Sequence, residues 1–383
     1  MTAVQPRERA EVVVDLDAIR HNVRRLRELV SGGDTAPQLM VVVKSDGYGH
    51  GMAPVARASR QAGAEWLGVA TAEEALALRS GGDTGRVLCW LAVPDEDLTG
   101  PIAADVDVAA YGGAQLDGIA AAARALGRVA RVHLKVDTGL SRGGATLADW
   151  PALVARAAEV ERTGDVRVIG IWSHFACSDQ PGHPANAAQL AAFRDALATA
   201  GAAGLDPEVR HLANSAGALL LPESRFDLVR LGIATYGLTP APRVRSSDQL
   251  GLVPAMTVRA RVVLGKDIEA GAGVSYGHVF TAPEPMHVAL VPLGYGDGVP
   301  RHASNVAQVM VRGRRAPLLG RVCMDQFVVG APAAGAGDEV VLFGPGADGE
   351  PTAQEWADWC GTISYEIVTR MHGRQPRTWV HDD

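Results

Sequence analysis

Lysine is the scarcest basic residue in this sequence: of 36 lysine and arginine side chains, only Lys44, Lys135 and Lys266 are lysine. Where a positive charge is enough, the chain uses arginine. A retained lysine therefore marks a place where arginine cannot substitute, and what arginine cannot do is lose its proton and form an imine. Lys266 lies in the turn-like GKDIEAGAG and reads as ordinary surface charge. Cysteine is sparse too. Cys89, Cys177, Cys323 and Cys360 are widely separated, which argues against a CxxC redox pair, a zinc site or a disulfide framework, so no metal is expected. No apolar run approaches the roughly 18 residues of a membrane span, and the start, MTAVQPRERAEVVVDLDAI, lacks the apolar stretch of a signal peptide. A cytoplasmic protein with no membrane partner is expected. Acidic residues outnumber basic ones 43 to 36 and no polybasic run occurs, so no nucleic-acid surface is expected.

What the chain does have is length and ordinary globular composition. Its 383 residues, 47% hydrophobic and 21% charged, suit two to three domains, or one large α/β barrel with a smaller companion. From about residue 38 to 240, eight short apolar runs (LMVVVK, WLGVA, VLCWLA, VDVAAY, RVHLKVD, VIGIWSH, VRHLAN and FDLVRL) alternate with segments of helical period such as APVARASRQAG and AAQLAAFRDALATAG. This pattern predicts a (β/α)8 TIM barrel over residues 1–245. An open doubly wound sheet is the alternative, but no GxGxxG follows the first strand. After residue 245, strand-like stretches punctuated by Gly, Pro and Asp predict a mostly β C-terminal domain over 246–383, with few segments long enough for helices. The leading EVVVDLD precedes the first barrel strand, so the first ~14 residues are expected to pair with that second domain.

Barrel chemistry gathers at the C-terminal ends of the strands. There the sequence places Lys44, Lys135 with Asp137, His174, Asn214 with Ser215, and Arg230 followed by Gly232. Polar strand ends are unremarkable, but two of the three lysines are among them. HLANSAGALLLP puts Ser215 before a helical run, where it serves as a plain helix cap or as part of an anion site. VRLGIATYG puts Gly232 where backbone can approach a ligand. A strand-end lysine facing a phosphate site fits a class I aldolase acting on a sugar phosphate, or an enzyme whose lysine holds pyridoxal 5′-phosphate. An available tyrosine and an arginine for the pyridine nitrogen favour the second.

VVVKSDGYGHG resembles the cofactor-lysine motif of bacterial alanine racemases, and KVDTGLSRGG, WSHFACSD, HLANSAG, VRLGIATYGL, GVSYGH, LGYGDG, GRVCMDQ and TISYE are similar to that family's other blocks, in order, from residue 11 to about 370. The resemblance implies pyridoxal phosphate held covalently by Lys44, and a head-to-tail homodimer acting on alanine to supply D-alanine for peptidoglycan. It assigns Tyr48, Asn214, Ser215, Gly232, Ile233 and Tyr365 to the cofactor, and Arg230, supported by His211, to the pyridine nitrogen. Tyr276 and Met324 would arrive from the partner subunit to meet the substrate. Arg142 would touch cofactor and substrate carboxylate, braced by Lys135, which is carbamylated in many members. Asp179, Tyr295, Arg301, Arg321 and Ile363 would line the substrate's approach. The implied chemistry uses two bases, Lys44 and Tyr276, with His174 and Arg230 relaying from the tyrosine to the ring. Read alone, Tyr276 would be a packed strand aromatic, Lys135 an ion-pair partner of Asp137, and Met324 a core filler. The motif departs from the common KADAYGHG at Ser45 and Gly47, which bears on local rigidity rather than on the reaction. A broader amino-acid racemase and a non-catalytic pyridoxal-phosphate carrier are the rival readings.

Overall fold

The computed structural model describes residues 8–32, 36–93 and 95–382. The eight apolar runs become eight parallel strands: β2 (Gln38–Val42), β3 (Trp66–Val69), β4 (Arg86–Cys89), β5 (Asp107–Ala110), β6 (Ala130–Lys135), β7 (Val166–Trp172), β8 (Val209–His211) and β9 (Leu228–Leu231). They pair side by side from β8 through β2 to β9. The ring closes where the Asp227 and Arg230 amides donate to the carbonyls of Arg210 and Ala213, at 3.1 and 3.0 Å. The predicted helical segments fold as helices between the strands, including Met52–Gln61, Gly113–Leu126, Trp150–Thr163 and Pro184–Ala202. A TIM barrel, rather than an open sheet, is the observed architecture.

The second domain is built on a nine-stranded sheet. Its strands after the barrel are β10 (Met256–Arg261), β11 (Leu264–Ile268), β14 (Met286–Val291), β15 (Gln308–Val311), β16 (Arg314–Leu319), β17 (Phe327–Gly330), β18 (Glu339–Phe343) and β19 (Arg377–Val380), while β12 (Gly273–Val274) and β13 (Phe280–Thr281) make a separate hairpin. The leading β1 (Ala10–Asp15) lies inside this sheet, antiparallel to β10 and parallel to β19. Residues 1–7 fall outside the described residues. Two short helices, Ala353–Cys360 and Ser364–Thr369, interrupt the β pattern, and the first buries Trp356 under the sheet.

One continuous apolar cluster runs through both domains, joining Val12 and Val14 of β1, Leu39 and Val41 of β2, and Val258 and Val291 of the second sheet. The helix Leu16–Val30 ties them together. Asp15 caps it by accepting from the amides of Asp17 and Ala18, and Ile19, Val23 and Leu26 turn inward at helical spacing. Each such side chain contributes about 1.5–3 kcal/mol on burial, so the β domain is fixed to the barrel rather than tethered beside it. Among the described residues no helix is long and apolar enough to cross a membrane.

Candidate active site

A cavity of about 620 Å³ opens at the C-terminal ends of the barrel strands. Lys44, Tyr48, Arg142, His174, Asn214, Ser215, Arg230, Gly232, Ile233 and Tyr365, the residues the resemblance assigns to the cofactor, all line it, and so does Lys135, the residue expected to brace Arg142. Lys44, Lys135, Arg142 and Arg230 bring four cationic side chains to this one space. No Asp or Glu is among the residues lining it. Such an arrangement is costly unless an anionic ligand enters or a lysine gives up its proton.

The lysines show that strain. Burial, then Arg142, lowers the Lys44 ammonium below its ordinary range, against a weaker opposing effect of Glu74. Lys135 is lowered further, to about 8, by burial and then by Arg230 and Arg142. Its Nζ sits 4.5 Å from the Trp172 ring centre and 4.8 Å from that of Tyr111. The alternative ion pair with Asp137 does not form: the Asp137 carboxylate accepts instead from the amides of Gly139 and Ser141, closing its own turn. Among the described residues no hydrogen bond links Lys135 to Arg142. Two cations repel, so Lys135 can brace Arg142 only after its own charge changes.

Arg230 lies under the cavity, with Nη1 donating to His211 Nδ1 at 3.0 Å and Nη2 to His174 Nδ1 at 3.1 Å. Burial and Arg142 lower it to about 9, still protonated at neutral pH. His174 is pushed well below its ordinary range by burial and by Arg230, so it is a neutral imidazole whose Nδ1 can accept.

The Lys44 loop is locally unusual. Ser45, Asp46, Gly47 and Tyr48 all have φ between 52° and 62°, a left-handed turn that L residues resist. Glycine at position 47 relieves one of these: a Cβ there would lie 3.3 Å from the Met52 amide nitrogen. The β domain clamps the loop, Arg377 pairing with Asp46 at 2.5 Å and Trp379 donating to the His50 carbonyl at 2.8 Å. Strain of this kind persists only where its surroundings over-determine it.

Two strands round the ring from Lys44, the helix cap is Asn214 rather than Ser215. Asn214 Oδ1 accepts from the Gly217 amide and from Ser178 Oγ, both at 2.9 Å. Ser215 Oγ instead accepts from the Gly232 amide at 2.9 Å. Gly232 has a steric reason, since a Cβ would stand 2.5 Å from Tyr48 Oη. Tyr48, Ser215 and Tyr365 thus gather hydroxyl groups beside bare backbone, a cradle suited to a phosphate. Burial raises the Tyr48 and Tyr365 phenols, which keeps both protonated as donors.

The remaining expected residues gather elsewhere. Tyr276 is not in a strand but on the turn between β12 and β13, 72% exposed, after a Ser275 held at φ 61°. Ser275 Oγ donates to the Arg321 carbonyl at 2.7 Å. Tyr295 and Gly296 donate their amides to the carbonyls of Cys323 and Met324. Tyr276, Tyr295, Arg321 and Met324 therefore share one face of the β domain, and none of them lines the barrel cavity. Met324 is 55% exposed, which overturns its reading as core filler. Arg301, Ile363 and Asp179 are also exposed and outside the cavity, whereas His211 is buried behind Arg230.

Sequence reasoning missed the aromatic wall. Trp90, Tyr111 and Trp172 stand at or just after the ends of β4, β5 and β7 and line the cavity. A signal existed, since VLCWLA, VDVAAY and VIGIWSH each carry an aromatic at the strand end in a chain with only 5% aromatics.

A barrel-mouth lysine lowered by burial, a hydroxyl cradle and an arginine-backed imidazole define a class: barrel enzymes that join a phosphorylated carbonyl cofactor to a lysine. Profiles described as the alanine racemase N-terminal and C-terminal domains match residues 14–240 and 255–379. The chain belongs to the alanine racemase family. It is 55% identical to alanine racemase of Frankia casuarinae over 97% of this chain and 96% of that protein. The crystal structure of alanine racemase from D-cycloserine-producing Streptomyces lavendulae superposes with a TM-score of 0.96 at 52% identity, covering 98% of each chain. That of the Bartonella henselae enzyme, with covalently bound pyridoxal phosphate, superposes with a TM-score of 0.86 at 28% identity, covering 98% of this chain and all of that one. The protein is an isomerase of this pyridoxal-phosphate-dependent family and racemises alanine.

Proposed function

We propose that the protein converts L-alanine to D-alanine for peptidoglycan as a cytoplasmic head-to-tail homodimer, each site combining the barrel mouth of one chain with Tyr276 and Met324 of the other. The observation that carries this is the division of the site: four cations and a hydroxyl cradle lie in the barrel, and an exposed tyrosine waits on the β domain. Pyridoxal phosphate, when bound, supplies a ring that withdraws electrons and so acidifies the α proton of an amino acid joined to it. Lys44 would hold it, with Tyr48, Ser215, Tyr365 and the backbone at Gly232 and Ile233 around the phosphate.

The chain's own residues then do the proton work. Lys44, already biased toward its neutral form, takes or returns the α proton on one face, and Tyr276 acts on the other, each within about 3 Å of the same carbon. Arg142 holds the substrate carboxylate. Its bracing by Lys135 follows if the Lys135 ammonium first loses a proton to solvent and the neutral amine then adds to carbon dioxide, its N–C bond forming as a second proton leaves to solvent; a carbamate anion then stands beside the guanidinium where a cation stood. Arg230, which keeps its proton, would offer the pyridine nitrogen a donor rather than an acceptor, and so would favour return of the proton to the α carbon over transamination. Tyr276, Met324 and Tyr365 are large groups that leave space for a methyl.

Mixed dimers test the shared site. Lys44→Ala and Tyr276→Ala chains are each inactive alone. After unfolding and refolding together, half of the dimers are mixed, and each has one site with both residues intact. Roughly a quarter of wild-type activity should return. No recovery, with dimers demonstrably mixed, would place both bases in one chain and end this proposal.

A further inference from the structure

Beneath the cavity, the barrel interior carries polar side chains that the reaction as described does not use. Asp107, at the N-terminal end of β5, is fully buried and pairs with Arg86 at 2.7 Å and Arg131 at 2.5 Å on the lower rim. On its inner side it meets His133 Nε2 at 3.3 Å, and His133 Nδ1 lies 2.9 Å from His211 Nε2. His211 Nδ1 then meets Arg230 at 3.0 Å, so four contiguous side chains connect the lower rim to the cavity floor. The interior of such barrels is ordinarily packed with branched apolar side chains. Met40, Trp66, Leu88, Ile169, Val209 and Leu228 do this here.

The protons in this chain can be counted. Its three hydrogen bonds need one proton each. Arg230 can only donate, and the Asp107 carboxylate can only accept. Arg230 supplies the first proton, so His211 must offer a bare Nδ1 and carry its own proton on Nε2. His133 must likewise accept on Nδ1 and donate from Nε2. Two neutral imidazoles in one tautomer each are the only arrangement that satisfies every bond. Burial lowers both histidines, consistent with neutrality. On the far side, Arg230 Nη2 donates to His174 Nδ1 and leaves the single proton of neutral His174 on Nε2.

The backbone is adapted to this chain. The pairing of β6 with β7 shifts register between Val132 and His133, so that His133 faces Gly170. A Cβ at Gly170 would stand 2.2 Å from His133 Nδ1. An irregularity that re-aims a side chain, opposite the one residue that leaves room for it, is a built feature rather than a packing accident. Trp172 stacks on His211, with ring centres 5.6 Å apart and planes 2° apart, and the edge of Trp66 meets His133.

We infer that Asp107 and His133 are positioning residues for racemisation: they hold His211 in the tautomer that accepts from Arg230, and thereby fix the guanidinium against His174 and the cofactor ring. The inference rests on the assignment of Arg230 and His174 to the reaction. In the holoenzyme, His133→Leu should lower kcat about tenfold with KM changed less than twofold, because substrate contacts are untouched. Heteronuclear NMR of histidine-labelled protein should find the His211 proton on Nε2 in the wild type and redistributed in the variant. Asp107→Asn, which keeps the shape, should move both readouts the same way but less, and serves if His133→Leu does not fold. Unchanged kcat together with an unchanged His211 tautomer in these variants would overturn the inference. A full-rate Arg230→Gln enzyme would instead overturn the assignment on which it rests.

Discussion

The barrel mouth and the Tyr276 face of the β domain are built on opposite plans. In the barrel, Lys135 and Arg230 are buried and Lys44 half-buried, Arg230 is aligned by hydrogen bonds and Lys135 by aromatic rings, and all three are shifted by burial and by neighbouring cations, Arg142 in every case. On the β domain, Tyr276, Met324 and Tyr295 are 72%, 55% and 41% exposed, and what is ordered there is the backbone beneath them. In the proposed dimer, the enclosed half and the open half would complete one site. Large apolar groups held outward by a strained turn are what an interface presents before its partner covers them. The contrast teaches that tuning and contact are separable: one chain prepares the charges, and the proposed second chain supplies a base.

Several measurements would break or sharpen this contrast. The largest effect is expected at the enclosed half: Lys44→Ala should abolish the visible absorbance of lysine-bound cofactor and lower racemisation by more than about a thousandfold. Retention of both would remove Lys44 from its role. At the open half, Tyr276→Ala should keep that absorbance yet lower turnover by about a hundredfold or more. Isotope exchange from solvent should fail on one face of the α carbon only, and equal loss on both faces would count against two bases.

A smaller effect concerns acid stability and belongs to the barrel. Burial lowers His50 from 6.5 to about 4, and takes His174 and His211 well below their ordinary range. Between pH 6.5 and 4 the unfolded chain binds a proton that native His50 refuses, and His174 and His211, lowered in the same direction, add to this below pH 6.5, so stability falls as pH falls. The slope is about 1.4 kcal/mol per pH unit for each such group. Urea midpoints at successive pH values should show the loss, and a flat profile would contradict the buried neutral imidazoles. The smallest effect is at the loop. Gly47→Ala should cost about 1 kcal/mol by adding a side chain at positive φ, read as a lower denaturation midpoint with the cofactor absorbance kept.

Much of this was legible in one dimension. Eight apolar runs with helices between them sufficed for the barrel, because strand and helix periods are local. The lysine shortage singled out Lys44 and Lys135 for a chemical reason, and EVVVDLD was read as pairing with the β domain because it precedes the first barrel strand. Other features were not legible. GVSYGH is strand-like by composition, but the positive φ at Ser275 turns Tyr276 outward. Asn214 and Ser215 are adjacent, and only their partners show which one caps the helix.

The sequence by itself determined the types of chemistry: which residues can form an imine, carry a fixed charge or bear a phenol, and on which strand ends they stand. Only the tertiary structure decided their company. That four cations share a cavity lined by no carboxylate, that Asp107 reaches Arg230 through two histidines, and that Tyr276 lies on another face all depend on how distant strands come together in a ring and a sheet. Hydrophobic periodicity reports which side of its own element a residue occupies. It carries nothing about which other element will stand opposite.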